Sequence, residues 1–396
     1  MKKMKKIIKT FAVAGVALSA GILASCGNGA EEKVSIVIGV QQTSGNNYES
    51  MCNFLDDLKG ELNFDYETVL LESRNNDKNL STFQTKMLAG AQGIISMVDM
   101  DKANLSKLLA DCEKNDVYYA GYMSDFANVN KDETIMNNKY MLGTVSDGEI
   151  DGAVRGEFLF NQVVKSTDRK IVFSRFPVYA YPSAVASINK FKELAETYNS
   201  THDDDFTYYV NNEGADTYEF GFTTPTLPDA EAQAWKAASV DAVVAVNSLG
   251  KRLLPAFKAN NMDTTTNIYT LGWEDNIISD FGDDKCVKTL GQTPAETIVY
   301  PLVRILNAAR GKSYSDEPSM NDKVVTGRYT YLASTADLNN GRINSMNFSI
   351  DHAVSHAIIS KAEVKALLAG ENGATYKKLV DTLNSWDSEY ALTRKH

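Results

Sequence analysis

His352 and His356 stand four residues apart in "DHAVSHA". On a helix that spacing puts both imidazoles on one face, where ring nitrogens can ligate zinc. Asp351 adjoins them, but a third ligand and a general base are missing, and two surface histidines account for the pattern. Ser187 and Lys190 in "SINK" fit Ser-x-x-Lys, and Ser146 opens "SDG". An acylating serine enzyme needs Ser-x-x-Lys first in the chain. Here the order is reversed and Lys-Thr-Gly is absent, which rejects that chemistry. No P-loop, Gly-x-Ser-x-Gly or Cys-x-x-Cys occurs. Cys52, Cys112 and Cys286 are widely spaced, as buried small apolar residues are, and form no disulfide framework or zinc pattern. The acidic turn "THDDDF" reads as solvated. With no nucleophile–base constellation, the expectation is a protein that is not an enzyme and needs no cofactor or metal.

What remains is binding chemistry, and the elements decide where polar groups collect. "VSIVIGV" (34–40), "YETVLLES", "GIISMV" and "VYYAGYM" read as buried strands separated by the helical stretches "YESMCNFLDDLKGEL", "LSTFQTKMLAG" and "KANLSKLLADCEKN". "MLGTVSDGEIDGAVRGEFLFNQVV" reads as a crossover into a helix. The alternation then resumes with strands "KIVFSRF", "FTYYVNN", "DAVVAVN" and "NIYTLGW" and helices "PSAVASINKFKELAETY", "DAEAQAWKAAS" and "KRLLPAFKANN". Strands alternating with helices of this length predict βαβ units and parallel sheets. "QGIISMVDMDKANLSKLLADCEKNDVYYAGYMSD" and "DAVVAVNSLGKRLLPAFKANNMDTTTNIYTLGWED" follow one plan, which predicts two α/β lobes with a cleft between their strand ends. "CVKTLGQTPAETIVYPLVRILNAARG" adds a strand and a helix that starts near Pro294 and stops at Gly311. In the tail, "GRYTYLAS" is strand-like, and "SIDHAVSHAIIS", "KAEVKALLAG" and "YKKLVDTLNSW" read as helical.

The chain has 396 residues, 43% of them hydrophobic, enough for two or three domains with large cores. Its start differs from the rest. "MKKMKKIIK" carries five lysines, and the apolar run "FAVAGVALSAGILA" is short for a membrane span but suits a signal-peptide core. Leu23, Ala24, Ser25 and Cys26 resemble the bacterial lipobox, in which the cysteine takes at least two acyl chains and anchors the mature protein stably. Residues 1–25 are then a signal peptide and 26–33 a tether. Removing residues 1–25 takes away five lysines and no acidic residue, so the formal charge moves from −11 to −16. An acidic body argues against nucleic-acid binding.

"AGAQGIIS", "AVVAVNSLGKRLLPAFKANN", "YTLGWED" and "VKTLGQTP" carry a resemblance across roughly residues 34–312. They are similar to four segments of the type I periplasmic-binding-protein family, most of all its sugar-binding branch. These are the Gly-x-x-Gly-Ile-Ile strand, the second-lobe strand with Asn-Asp and helix, the Gly-Phe-Asp strand end, and the strand with Gln then Pro. Ser248 stands where Asp is usual, Trp273 and Glu274 replace Phe-Asp, and Gly121-Tyr122 stand in place of Asp-Arg at the fourth strand's end. Ser187 replaces an Arg that many members carry four residues before Phe191; Arg175 could substitute. The resemblance implies two similar Rossmann-like lobes with parallel sheets, a three-segment hinge and a ligand cleft. Its crossings fall near Gly143–Ser146, near Trp273–Asn276 and after the helix ending at Arg310. The lobes become 34–143 plus 275–312, and 144–274 plus 313–396.

A sugar site pairs planar polar groups with aromatic faces. Strand ends and the loops after them offer Gln42, Asn47, Tyr48, Asp99, Asp125, Arg175 and Phe176. The resemblance adds Asn247, Trp273, Glu274 and Gln292. Arg175 with a carboxylate partner also suits an amino acid or an acid sugar. The expected function is capture of a small polar ligand, a sugar first, by an exported, lipid-anchored and monomeric protein. It would deliver that ligand to the permease of an ABC importer. The alternatives are a lipoprotein that senses ligand for a chemoreceptor or histidine kinase, and a nucleoside or amino-acid binder of the same fold.

Overall fold

The computed structural model describes residues 33–72, 75–124, 126, 129–146, 152–177, 182–209, 216–221, 223–272, 275–339 and 353–386. The proposed anchor Cys26 and the signal peptide, Asp125, Trp273, Glu274 and His352 lie outside the described residues.

The first half builds one sheet. Strands β1 (Val34–Val40), β2 (Phe64–Leu70), β3 (Gly93–Ser96), β4 (Tyr118–Tyr122) and β5 (Met141–Ser146) alternate with helices α1 (Asn46–Leu58), α2 (Asn76–Leu88), α3 (Lys102–Asn115) and α4 (Glu133–Met136). The second half repeats the plan with α5 (Gly152–Val163), β6 (Lys170–Arg175), α6 (Pro182–Asn199), β7 (Thr207–Tyr208), β8 (Thr217–Glu219), α7 (Asp229–Ala237), β9 (Ala242–Ala245), α8 (Gly250–Ala259), β10 (Asn267–Thr270) and β11 (Val287–Gln292). Then come α9 (Val299–Ala309), β12 (Val324–Thr326), β13 (Thr330–Leu332), α10 (Thr335–Asn339), α11 (Lys361–Lys365) and α12 (Tyr376–Asn384).

The first sheet runs β12-β5-β4-β3-β1-β2, every neighbouring pair parallel. The second runs β13-β11-β10-β9-β6-β7, with β8 also on β6, and only β13 is antiparallel. Central strands such as β3 and β9 are buried at every residue, because helices cover both faces of a parallel sheet. On one face of the first sheet Phe54, Leu55, Leu58, Leu302 and Leu306 pack together; on the other, Phe83, Leu105 and Leu108 do. The second sheet is sandwiched in the same way, by Trp235, Leu253 and Phe257 on one side and Phe160, Phe191 and Phe206 on the other. Helices α5 and α6 approach closely because Gly152 and Gly156 leave room. A Cβ on Gly156 would stand 2.2 Å from the Ser187 carbonyl oxygen, and one on Gly152 would stand 2.3 Å from that of Ser183.

Four sequence expectations need correction. "MLGTVS" is not a crossover but β5, which pairs with β4 and β12. The lobe boundaries also differ. Residues 287–292 belong to the second sheet, because Ile268 pairs with Val287. The passage back to the first lobe therefore follows Gln292, not Trp273–Asn276. The next passage lies between Thr326, paired to Ser146, and Thr330, paired to Gln292. Finally, residues 353–386 pack on the first lobe, not the second. Ile358, Leu367, Leu379, Leu383 and Trp386 are buried in the core that α1 and α9 share. Of "HAVSH", the described residues form no α-helix: His356 closes a three-residue 3-10 turn, Val354–His356. Among the described residues no group of three or more His, Cys, Asp or Glu could hold a metal ion.

Candidate functional site

The site is best read from buried polar atoms that lack a protein partner, because each such atom costs about 1–3 kcal/mol in a folded core. Several of them collect at one kind of place. Ser146 ends β5, Ser174 is the penultimate residue of β6, and Asn247 follows β9 by two residues. Their side chains are 2%, 0% and 4% exposed. The hydroxyls of both serines and both amide atoms of Asn247 have no hydrogen-bond partner. In the first lobe the amide oxygens of Asn47, Asn76 and Asn104 share that condition. These three residues lie in the first turns of α1, α2 and α3, the helices that follow β1, β2 and β3. All six therefore lie at carboxyl edges of the sheets, where open α/β folds bind ligands.

Asn247 is held in place by the backbone. Asn247 and Ser248 both adopt left-handed conformations, with φ of 74° and 57°. Such residues cost about 1 kcal/mol or more each unless the surroundings enforce them. Here the enforcing contact is Gly272, itself at φ 113°: a Cβ there would fall 1.8 Å from the Ser248 Oγ. The turn after β9 is thereby packed onto the end of β10, and glycine at 272 is required for that packing.

Other groups at the edges are already engaged. Asp99 accepts from the Ser124 hydroxyl, and Thr144 Oγ1 donates to the Ser124 carbonyl at 2.6 Å. Asp101 caps α3, accepting from Asn104 N at 2.9 Å, Asn104 Nδ2 at 3.0 Å and Asn76 Nδ2 at 2.8 Å. The Asn104 backbone N–H is the main reason its carboxyl is held below the usual range. Arg175 Nη1 donates to Glu219 Oε2 at 2.6 Å and to the Phe176 carbonyl at 3.0 Å. The Arg252 guanidinium lies over the Phe176 ring, 5.1 Å from its centroid.

The sequence-predicted residues divide as follows. Asn247, Arg175 and Phe176 lie at the ends of neighbouring strands β9 and β6. Asp99 and Asn47 lie at the first sheet's carboxyl edge. Gln42 is exposed in the loop after β1. Tyr48 shares a hydrogen bond of 3.0 Å with Thr68 Oγ1 on β2 and packs against the core, which makes it a structural residue as much as a site residue. Gln292 is buried at the end of β11, paired with Thr330. Sequence reasoning missed Ser146, Ser174, Asn76, Asn104 and Glu219. A polar residue closing an otherwise apolar strand was the available signal for Ser146 and Ser174.

No protein-family model and no curated protein matches this sequence. Solved structures do match its fold. The periplasmic binding protein of the arabinose ABC transporter from Shewanella sp. ANA-3, bound to α- and β-L-arabinofuranose, superposes with a TM-score of 0.55. It is 12% identical over 76% of this chain and 93% of its own. GanP, a glucose-galactose binding protein from Geobacillus stearothermophilus, gives 0.54 and 12% over 76% and 98%. The transcription regulator CcpA of Lactococcus lactis gives 0.50 and 12% over 76% and 98%. Two parallel-dominated α/β sheets with this strand order define the two-lobed type I periplasmic-binding-protein fold. This chain has that fold.

Proposed function

We propose that this chain is an exported solute-binding lipoprotein that captures a small polar ligand, a sugar first, and hands it to an ABC importer. The observation that carries the reading is Asn247: a buried amide, fixed by a left-handed turn at a strand's carboxyl end, with donor and acceptor both unpartnered. Two adjacent ligand hydroxyls can satisfy such an amide, one accepting and one donating. Ser174 and Arg175 on the neighbouring strand supply further groups. The amide oxygens and carboxylates of the first lobe would face the same ligand when the lobes close, and contacts to both lobes would stabilise the closed arrangement. Two solved neighbours, one described as a glucose-galactose binding protein and one as the binding protein of an arabinose ABC transporter, support the ligand class. The lysine-rich start, the apolar core and Cys26 support export and lipid anchoring. The tether Gly27–Lys33 would reach about 25 Å at ~3.5 Å per residue.

Thermal unfolding of the chain from residue 27 onward, across sugars, nucleosides and amino acids, tests the reading. A ligand at a hundred times its Kd should add about 2.7 kcal/mol of stability, and a sugar should be among those that do. No shift with any member of the panel would overturn it.

A further inference from the structure

From the edge of the second sheet we infer that Glu219 sets the charge selectivity of this site, acting through Arg175 so that the site takes an uncharged ligand in preference to its anionic counterpart. The inference rests on the solute-binding reading above and adds a positioning residue to it.

The sheet edge is built to bring this carboxylate to the site. Strand β7 pairs only with the start of β6, at Lys170 and Ile171. A second strand, β8, then covers the end of β6, pairing Phe173 with Thr217, Ser174 with Tyr218 and Arg175 with Glu219. Arg175 and Glu219 are thus directly opposed, and their side chains form an ion pair at 2.6 Å. In this parallel pairing the two residues are in register on neighbouring strands, which places their side chains on the same face of the sheet. The pair's position is fixed from behind. The Phe220 N–H donates to the Arg175 carbonyl at 2.9 Å, and the Phe220 side chain is fully buried. Tyr218 meets the buried Trp235 edge to face, with ring centroids 5.6 Å apart.

The consequence is electrostatic. An arginine at a strand's carboxyl end, beside Asn247, is the natural seat for a ligand carboxylate or phosphate, which it would hold by a bidentate fork. Here Nη1 is committed to Glu219 and to the Phe176 carbonyl. An incoming anion would have to displace Glu219 or sit beside it, and like charges in a shared site are costly. The opposite lobe adds Asp99 and Asp101 at its own edge, and Asn247, Ser174, Asn47, Asn76 and Asn104, each with an atom that lacks a partner, are neutral; the second cation nearby, Arg252, is stacked over the Phe176 ring. Arg175 can still donate to a hydroxyl through nitrogens that Glu219 does not use.

The test is isothermal calorimetry with ligand pairs that differ in charge: galactose and galacturonate, glucose and glucuronate, ribose and ribose 5-phosphate, adenosine and its 5′-monophosphate. For any pair that binds, the neutral member should bind tighter by about tenfold or more. Glu219→Gln should shrink that ratio at least ~3-fold by strengthening the anionic member, and Glu219→Asp should restore most of it. A purely structural role would weaken both members alike and leave the ratio unchanged. Unfolding of each unliganded variant is measured alongside, so that a folding defect is seen directly. Tighter binding of an anionic member by the natural chain, or a ratio unmoved by Glu219→Gln, would overturn the inference while leaving solute binding intact. Failure of every compound to bind would overturn the solute-binding reading itself, and this inference with it.

Discussion

A single side chain, Asn247, shows how stability is given up at the site. Its left-handed backbone and its unpartnered amide both work against the unliganded fold. Glycine adopts the same φ without a Cβ penalty and brings no polar atom to bury. Asn247→Gly should therefore raise the stability of the unliganded protein by about 1–2 kcal/mol in urea unfolding. On the proposed function the same change should weaken ligand binding by more than tenfold, because it removes the amide that would supply two hydrogen bonds. A destabilised variant that still binds normally would contradict both halves of the argument. Asn247 was singled out in the sequence through the family resemblance of "AVVAVNSLGKRLLPAFKANN", and its left-handed turn after β9 became visible only in the fold. Tyr48 does lie just after β1, at the start of α1, but its hydroxyl is tied to Thr68 of the next strand, a contact that local sequence does not show. Neither Ser146 nor Ser174 was read as a binding residue, because a serine closing a strand is commonplace; only their burial without a partner singles them out.

Among the elements, the strands buried on both faces were readable, and the short edge strands were not. β1, β3, β4, β6, β9 and β10 coincide with apolar runs long enough to need cover on two sides. β8 and β12 have three residues each, too few to show a period, so their strand character comes from the neighbour they pair with. β12 is secured from its start by Lys323. The Lys323 ammonium donates to the carbonyls of Met136 at 2.6 Å, Met141 at 2.8 Å and Asn138 at 3.4 Å. The Lys323 carbonyl accepts from the Thr144 N–H at 2.8 Å. Burial, aided by nearby Arg304, pulls this lysine down to about 8. Between that value and the ordinary lysine value the unfolded chain holds a proton that the folded chain has released, so stability rises with pH in that window. Lys323→Met removes both the hydrogen bonds and the titration. At pH 7 it should cost about 1–3 kcal/mol by leaving carbonyls unpaired, and the gap to the natural protein should widen as pH is raised from 7.5 to about 9.5. Urea midpoints of the two proteins at both pH values decide this; a gap that narrows with pH would show that the lysine keeps its proton in the fold.

At the scale of the whole molecule, the two-lobed plan was visible in the repeated βαβ pattern, but the destination of the tail was not. Periodicity says that residues 353–386 carry apolar side chains; it does not say which lobe they cover. The structure settles this by packing and by polar ties. Glu296 accepts from Ile358 N at 3.2 Å, Asn307 from Ala369 N at 2.9 Å, and Asp316 from Tyr376 N at 2.7 Å. Lys361 pairs with Asp57 of α1 at 2.6 Å. The segment is therefore part of the first lobe's core, although the chain reaches it only after completing the second sheet. The first lobe's core is thus complete only when residues 353–386 are in place. Leu379 is the sharpest probe, since it is fully buried against the core built by α1 and α9 and lies far along the chain from any proposed ligand contact. Leu379→Ala should lower unfolding stability by about 2–5 kcal/mol, leave ligand affinity of the folded protein within about twofold, and shift the unfolding of the first lobe as monitored by hydrogen exchange in β1, β3 and β4. Deleting residues 353–396 should do more: the combined loss of Ile358, Leu367, Leu379, Leu383 and Trp386, at roughly 1.5–3 kcal/mol each, is comparable to the whole stability of a domain. Exchange protection of β1, β3 and β4 that survives this deletion unchanged would show that the tail is an appendage to the first lobe and not a part of it.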